Sequence, residues 1–444
     1  MRRHVFAATV LCACLNAQSV FAQSGPLFSG VGPVNRGMGG VATATPTDAM
    51  GAIHWNPATI SALKSSEMAF GFDGVLPVVG LDSSIEPGAL GMGQPTDRLA
   101  GGTDSDNGWF AAPSFGLVHR NEGSDWTFGL GIMAIAGFGE NFPASTTNPI
   151  LFPDDPAMGA GIPGFGNLFA EALFFEIAPV ISAKIADNVS VGFGPTIMIG
   201  RLQFAPFAFG APDDGNGNMN FSFAEGTHSR FHWGGGFQAG AYMTTEHCVN
   251  YGISFKSPQW FEDFTYNSTD EIGAPRSFQQ KVELPYILSL GTSYVGIENL
   301  LVGLDVRYIG WSHAATFGDP AAFDAQSALQ GIGWDSTWTI SLGAQYALSE
   351  SMTVRAGYSH GASPIDGSPE SGLNIGSPLI LEHTLSAGGS VKLSHALSMN
   401  FAYSYGFENT TNDIIQTAAG GIPNTSVTQD ASAHFLTAGF SANF

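Results

Sequence analysis

The chain has 444 residues and a mass of 46.4 kDa, and 44% of its residues are hydrophobic but only 12% charged, where soluble domains carry about 25% charged residues; an ordinary soluble enzyme is disfavoured. Lys and Arg total 15 against 37 Asp and Glu, a net charge of -22 that leaves no basic footprint for nucleic acid. The 58 glycines and 34 phenylalanines suit close-packed, twisted strands better than helices, and the apolar content is too high for disorder.

Arg2 and Arg3, the apolar run Val5 to Leu15, and the small-residue site Val20-Phe21-Ala22 read as a signal peptide over residues 1–22. The run is too short to stay in a bilayer. Leu11-Cys12-Ala13-Cys14 resembles a lipoprotein box, the competing reading of this leader. Cleavage after Ala22 leaves 13 basic residues against 37 acidic, and Cys248 as the single cysteine. An intrachain disulfide and a cysteine zinc site are then both excluded, and stability must come from backbone pairing.

No later stretch has the roughly 18 consecutive apolar residues of a membrane helix. Period-two alternation recurs instead. Leu436, Ala438, Phe440, Ala442 and Phe444 fall on one face of the last segment, and Thr437, Gly439, Ser441 and Asn443 on the other. A terminal aromatic with alternation running up to it suits a transmembrane barrel, and a sandwich edge strand is the plainer alternative. In chain order, strands are predicted at 66–77, 107–120, 124–138, 172–186, 188–204, 228–246, 248–266, 277–296, 299–313, 335–348, 351–361, 380–393, 395–408 and 430–444. That is an even number, fourteen, and the connections alternate between tight turns and long loops. Outer-membrane barrels sort their periplasmic turns and extracellular loops in this way. The fold expected is all-β, a 14-stranded antiparallel transmembrane barrel over residues 65–444 with an N-terminal plug over residues 23–64.

The alternation assigns faces. Tyr251, Ile253, Phe255, Leu304, Val306, Tyr308, Met352, Val354 and Tyr358 point to lipid; Ser254, Lys256, Asp305, Arg307, Trp311 and Arg355 point to the lumen. A lipid-facing charge costs about 2–4 kcal/mol at mid-depth. Arg201 shares the parity of lipid-facing Phe193 and Ile197, so either a bulge resets the register there or the residue lies above the hydrocarbon.

Residues 23–64 hold no good strand. They carry Gly32-Pro33-Val34-Asn35-Arg36-Gly37-Met38-Gly39-Gly40, then Asp48-Ala49, then Trp55-Asn56-Pro57-Ala58. This series resembles the hatch of the FadL-type outer-membrane transporters of long-chain fatty acids and hydrocarbons. Trp126-Thr127-Phe128-Gly129-Leu130-Gly131, Val191-Gly192-Phe193-Gly194-Pro195, Lys256-Ser257-Pro258 and Arg355-Ala356-Gly357-Tyr358 extend the resemblance through the barrel. It implies a plugged monomer that takes up poorly soluble molecules by passive diffusion across the lipopolysaccharide-covered outer membrane. Capture would be on an apolar outer loop, with lateral release beside a kinked third strand.

Several residues are candidates on that scheme. The loop 139–171 carries Phe142, Ile150, Leu151, Phe152, Met158, Phe165, Leu168 and Phe169, an apolar cluster that marks either a ligand surface or packing on the rim. Phe165, Leu168 and Phe169 have helical spacing. Gly137-Phe138-Gly139 is the candidate kink, and Asn56, Pro57 and Ala58 the turn that seats the plug. Arg230, Lys256 and Arg307 have inward parity and are candidate head-group cations, although structural pairing, as of Arg307 with Asp305, serves equally. No H-E-x-x-H or G-x-S-x-G motif is present, and Asp104-Ser105-Asp106-Asn107-Gly108 and Asp213-Asp214-Gly215-Asn216 read as turns rather than calcium loops. No enzyme activity, cofactor or metal is expected. Transport of a fatty acid, or alternatively of an aromatic hydrocarbon, competes with an aqueous porin and with an adhesion barrel. The plug and the loop phenylalanines disfavour the porin.

Overall fold

Alternating side chains leave a strand with one apolar and one polar face, and closing such strands on themselves satisfies every backbone group without water. The protein does this, in a computed structural model that describes residues 25–153, 164–215, 217, 221–377 and 379–444. The expected leader with Cys12 and Cys14, Met158 of the apolar loop, and Asn216 of the second acidic turn lie outside the described residues. The wall has fourteen antiparallel strands. They are β1 (Glu67–Ile85), β2 in two pieces (Leu99–Asp104 and Phe110–Arg120), β3 (Trp126–Phe142), β4 (Leu168–Ala186), β5 (Val189–Ala205) and β6 (His232–Thr244). β7 (Val249–Lys256, continued by Gln259–Phe261) and β8 (Glu283–Leu284 and Ile287–Ile297) follow. β9 (Leu300–Ile309), β10 (Thr337–Ala347), β11 (Met352–Gly361), β12 (His383–Lys392), β13 (Leu397–Asp413) and β14 (Thr425–Asn443) complete the wall. β14 pairs with β1 from Glu67↔Asn443 to Ile85↔Thr425 and closes the barrel. Every expected strand has a counterpart, and the outer face carries exposed Phe70, Phe128, Tyr251, Ile253, Leu304, Phe401 and Phe440.

Several edges differ from expectation. β1, β13 and β14 run farther outward than their apolar patterns, because beyond the lipid zone backbone pairing continues with polar side chains such as Asp82, Asn412 and Gln429. β3 continues to Phe142 and β4 begins at Leu168, where these two residues pair. Leu168 and Phe169 are therefore strand residues, and the helical spacing with Phe165 is coincidental. Residues 264–269 and 275–280 form a separate hairpin in the loop between β7 and β8. At Arg201 the β4–β5 register holds steady from Ile181↔Phe193 to Phe169↔Ala205, so no bulge intervenes. Its guanidinium faces outward, pairs with Glu171 and stacks 5.2 Å from Phe231.

The segment ahead of β1 fills the lumen. It folds as α1 (Gly32–Gly37), α2 (Ala49–Trp55) and a 3-10 turn (Pro57–Ala62). Pro33 starts α1, where its missing N–H is no loss. Asp48 caps α2 by accepting from Gly51 N. Burial pushes the Asp48 carboxyl up to about 6. Asn56 accepts from Ala58 N at 3.1 Å to start the 3-10 turn, and its Nδ2 donates to Thr43 O at 2.7 Å and to Ala241 O of β6 at 3.1 Å. One side chain thus joins two parts of the plug to the wall.

Glycine is abundant because the plug backbone lies directly against the wall. A Cβ on Gly252 would stand 2.0 Å from Thr43 O, one on Gly343 2.4 Å from Met38 O, and one on Gly357 2.1 Å from Gly39 N. Ion pairs complete the seat. Arg36 Nε donates to Asp73 of β1 at 2.8 Å, under the rings of Phe28 and Phe435. Asp305 Oδ2 accepts from Ala42 N at 2.9 Å, Thr43 N at 3.0 Å, Thr43 Oγ1 at 2.8 Å and Arg307 Nη2 at 2.6 Å. Arg307 also donates to Gly40 O at 2.6 Å and lies 3.6 Å from the Trp55 ring centroid, a stacking worth about 2 kcal/mol when desolvated.

Two predictions test this seat. Asp305→Ala leaves a buried guanidinium and two backbone N–H groups without their acceptor, and costs about 3–5 kcal/mol in urea unfolding from lipid; a loss below about 1 kcal/mol contradicts the anchoring role. Gly252→Leu displaces the plug while the strands still close, so planar-bilayer conductance rises above that of the wild type. Unchanged conductance contradicts the close packing.

Candidate functional site

The site begins with a counting irregularity in β3. Pairing with β4 runs Ala134↔Phe175 and then Ala136↔Phe174, so Ile135 is an extra residue. A one-residue bulge swaps the faces of everything beyond it. Before it, Phe128 and Ile132 face lipid; after it, Phe138, Glu140 and Phe142 turn inward and are buried. The bend thus lies two residues ahead of Gly137-Phe138-Gly139. Gly139 sits inside the strand rather than opening a loop.

The same stretch loses its other neighbour. β2 pairs with β3 only from Arg120↔Thr127 to Ser114↔Met133. Contact resumes farther out, where Asp106 N donates to Asn141 O at 2.7 Å and Asn107 Nδ2 donates to Gly139 O. Between these points β2 presents Phe110 to Pro113, and the proline has no N–H to offer. The plug supplies the missing partners: Gly137 N donates to Pro26 O at 3.0 Å and Phe28 N to Ile135 O at 2.9 Å. The result is a window in the wall, edged by two strands and lined from within by residues 26–28.

Two apolar cavities meet at this window. The outer cleft has a cavity volume of about 110 Å³ among Phe138, Phe165, Leu168, Phe169, Phe204, Phe209, Phe323, Leu329, Leu373 and Ile375, and opens to solvent among the described residues. The inner cavity has a volume of about 50 Å³ among Phe28, Val79, Phe110, Gly137, Phe138, Gly139, Glu140, Leu381 and Phe435. Phe138 lines both, and among the described residues neither is lined by Lys or Arg.

The expected site residues divide accordingly. Phe165, Leu168 and Phe169 line the outer cleft, whereas Phe142 and Leu151 are fully buried in the packing beside it. Phe152 is half-buried after the short turn Pro149–Leu151. Asn56, Pro57 and Ala58 lie in the plug against β5 and β6, away from both cavities. Arg230 is not in the lumen. It precedes β6, more than half exposed, and pairs with Glu262 at 2.7 Å. Lys256 is buried, and its Nζ lies 2.7 Å from Glu176 Oε2 and 3.2 Å from His54 Nδ1. Burial and the neighbouring Lys256 hold the His54 imidazole down to about 4, so the ring is neutral and Glu176 serves the lysine. Lys256 and Arg307 both tie the plug to the wall. Sequence reasoning missed Phe204, Phe209, Phe323, Leu373 and, apart from Gly137, Phe138 and Gly139, the residues of the inner cavity. The run Phe204-Ala205-Pro206-Phe207-Ala208-Phe209 was the available signal for the third loop.

A family profile described as outer membrane protein transport protein (OMPP1/FadL/TodX) matches residues 169–444. Among solved structures, the Pseudomonas putida toluene transporter TodX superposes with a TM-score of 0.69 at 17% identity, covering 94% of this chain and 99% of that one. The Ralstonia pickettii toluene transporter TbuX gives 0.66 at 17% identity, with 94% and 99% covered. A Pseudomonas aeruginosa FadL homologue gives 0.66 at 16% identity, with 96% and 100% covered. A search of curated proteins finds no match. The chain belongs to the FadL/TodX family of bacterial outer-membrane proteins, which are transport channels for hydrophobic compounds and not enzymes.

Proposed function

We propose that this chain takes up neutral apolar molecules by diffusion, through the outer cleft, past Phe138, into the inner cavity and out sideways through the window between β2 and β3. The observation that carries the route is the position of Phe138, one side chain common to both cavities and adjacent to the break in the wall. Apolar clefts that remain open to solvent are the usual form of small-molecule sites. Residues 26–28 are held to β3 by two backbone hydrogen bonds, a closure that a modest shift of the plug would release.

Long-chain fatty acids and aromatic hydrocarbons both fit an apolar route. The cavity chemistry favours the neutral ligand. A carboxylate entering an apolar site needs a cation, and Lys256 and Arg307 are already committed to Glu176 and Asp305. Two structural neighbours, TodX and TbuX, are toluene transporters, which agrees with this preference.

Cells lacking their own hydrophobic transporters, with and without this chain, provide the test. Gene-dependent uptake of labelled toluene is expected to exceed that of labelled oleate. Phe138→Trp, which enlarges the shared side chain, should slow toluene uptake severalfold. Oleate uptake above toluene uptake contradicts the neutral-ligand preference, and no uptake of either contradicts transport.

A further inference from the structure

Glu140 is out of place among the residues around it. The bulge at Ile135 turns it inward, and it lines the inner cavity beside Phe28, Phe110, Phe138, Leu381 and Phe435. It is 3% exposed, and no described group donates to its Oε2. A carboxyl group withdrawn from water without a partner is destabilising, and the walls around it are hydrocarbon. A plain hydrocarbon passage would be better served by leucine at this position.

We propose that Glu140 is a specificity-determining residue of the inner cavity, and that it selects apolar ligands bearing one neutral hydrogen-bond donor, namely alkylphenols and long-chain alcohols. This rests on the transport reading above and narrows its substrate class. A hydroxyl on the ligand gives Oε2 the donor it lacks while the hydrocarbon body occupies the aromatic walls. A hydrocarbon of the same shape leaves the carboxyl unpaired, and a ligand carboxylate sets a second acid against it. A site built around a hydrogen bond discriminates strongly against analogues lacking the group, because its own polar atom is then stranded. Among the described residues that line the inner cavity, Glu140 is the one ionisable side chain.

The test measures binding of 4-octylphenol, octylbenzene and octanoate to the full chain in lipid nanodiscs, corrected with protein-free discs. Uptake of the same three compounds by cells is measured in parallel. Wild type is expected to bind 4-octylphenol about tenfold more tightly than octylbenzene, one hydrogen bond to a carboxyl group, with octanoate weakest. Glu140→Leu should abolish the phenol preference and improve octylbenzene binding. Glu140→Gln, which keeps an acceptor oxygen, should retain most of the preference, and heat-modified electrophoretic mobility verifies that each barrel is folded. Equal binding of octylphenol and octylbenzene by wild type, tightest binding of octanoate, or a phenol preference that survives Glu140→Leu would each overturn the assignment. Uptake without head-group preference defeats the Glu140 assignment alone. Absence of gene-dependent uptake for all three compounds defeats the transport reading itself.

Discussion

A backbone group inside a bilayer has no water to turn to, so every N–H and C=O of the wall must be paired within the protein. That requirement closes β14 onto β1 and fixes the registers of the strands between. It also makes any interruption of the ladder informative. Between β2 and β3 the pairing stops at Ser114↔Met133 and resumes near Asn141, and the plug supplies the partners for Ile135 and Gly137. The bulge that accompanies this break reverses the faces of β3, which brings Phe138 and Glu140 inward and builds the inner cavity. Wall, window and cavity share one local origin.

The plug is held by a different physics. Its backbone lies against inward-facing glycines whose hydrogens leave room that a methyl group would fill. One plug charge meets a wall charge of opposite sign, Arg36 with Asp73, and the neutral His54 ring sits against the Glu176–Lys256 pair of the wall. The Asp305–Arg307 pair grips the backbone of residues 40–43. Buried pairs of this kind contribute little over apolar packing but are costly to break one partner at a time, so they define a position more than they add stability. The inner cavity adjoins the end of the plug that carries fewer of these ties, residues 25–28.

Much of this was legible in the sequence. Leu436 to Phe444, Tyr251 to Lys256 and Leu304 to Arg307 show their two faces by alternation alone, and the sorting of short and long connections gives barrel orientation. The Gly32–Gly40, Asp48-Ala49 and Asn56-Pro57-Ala58 series marks the plug. What alternation cannot reveal is an extra residue. Ile135 sits in a run of small and apolar residues, Met133 to Gly137, where either face is acceptable, so the reversal after it left no trace in the pattern. Arg230 had the right parity but lies past the end of its strand, where Glu262 holds it in solvent. The outer cleft draws side chains from five loops that are far apart in the chain, and only the closed barrel gathers them.

The most direct test of the route is photolabelling. A toluene-sized aryl diazirine would be applied to cells bearing the protein, irradiated, and its attachment sites mapped by mass spectrometry. The window account predicts labels on Phe28, Phe110 and Phe138 as well as on outer-cleft residues such as Phe169. Labels confined to the outer cleft, with the inner cavity and the β2–β3 edge unmarked under conditions of active uptake, would contradict it.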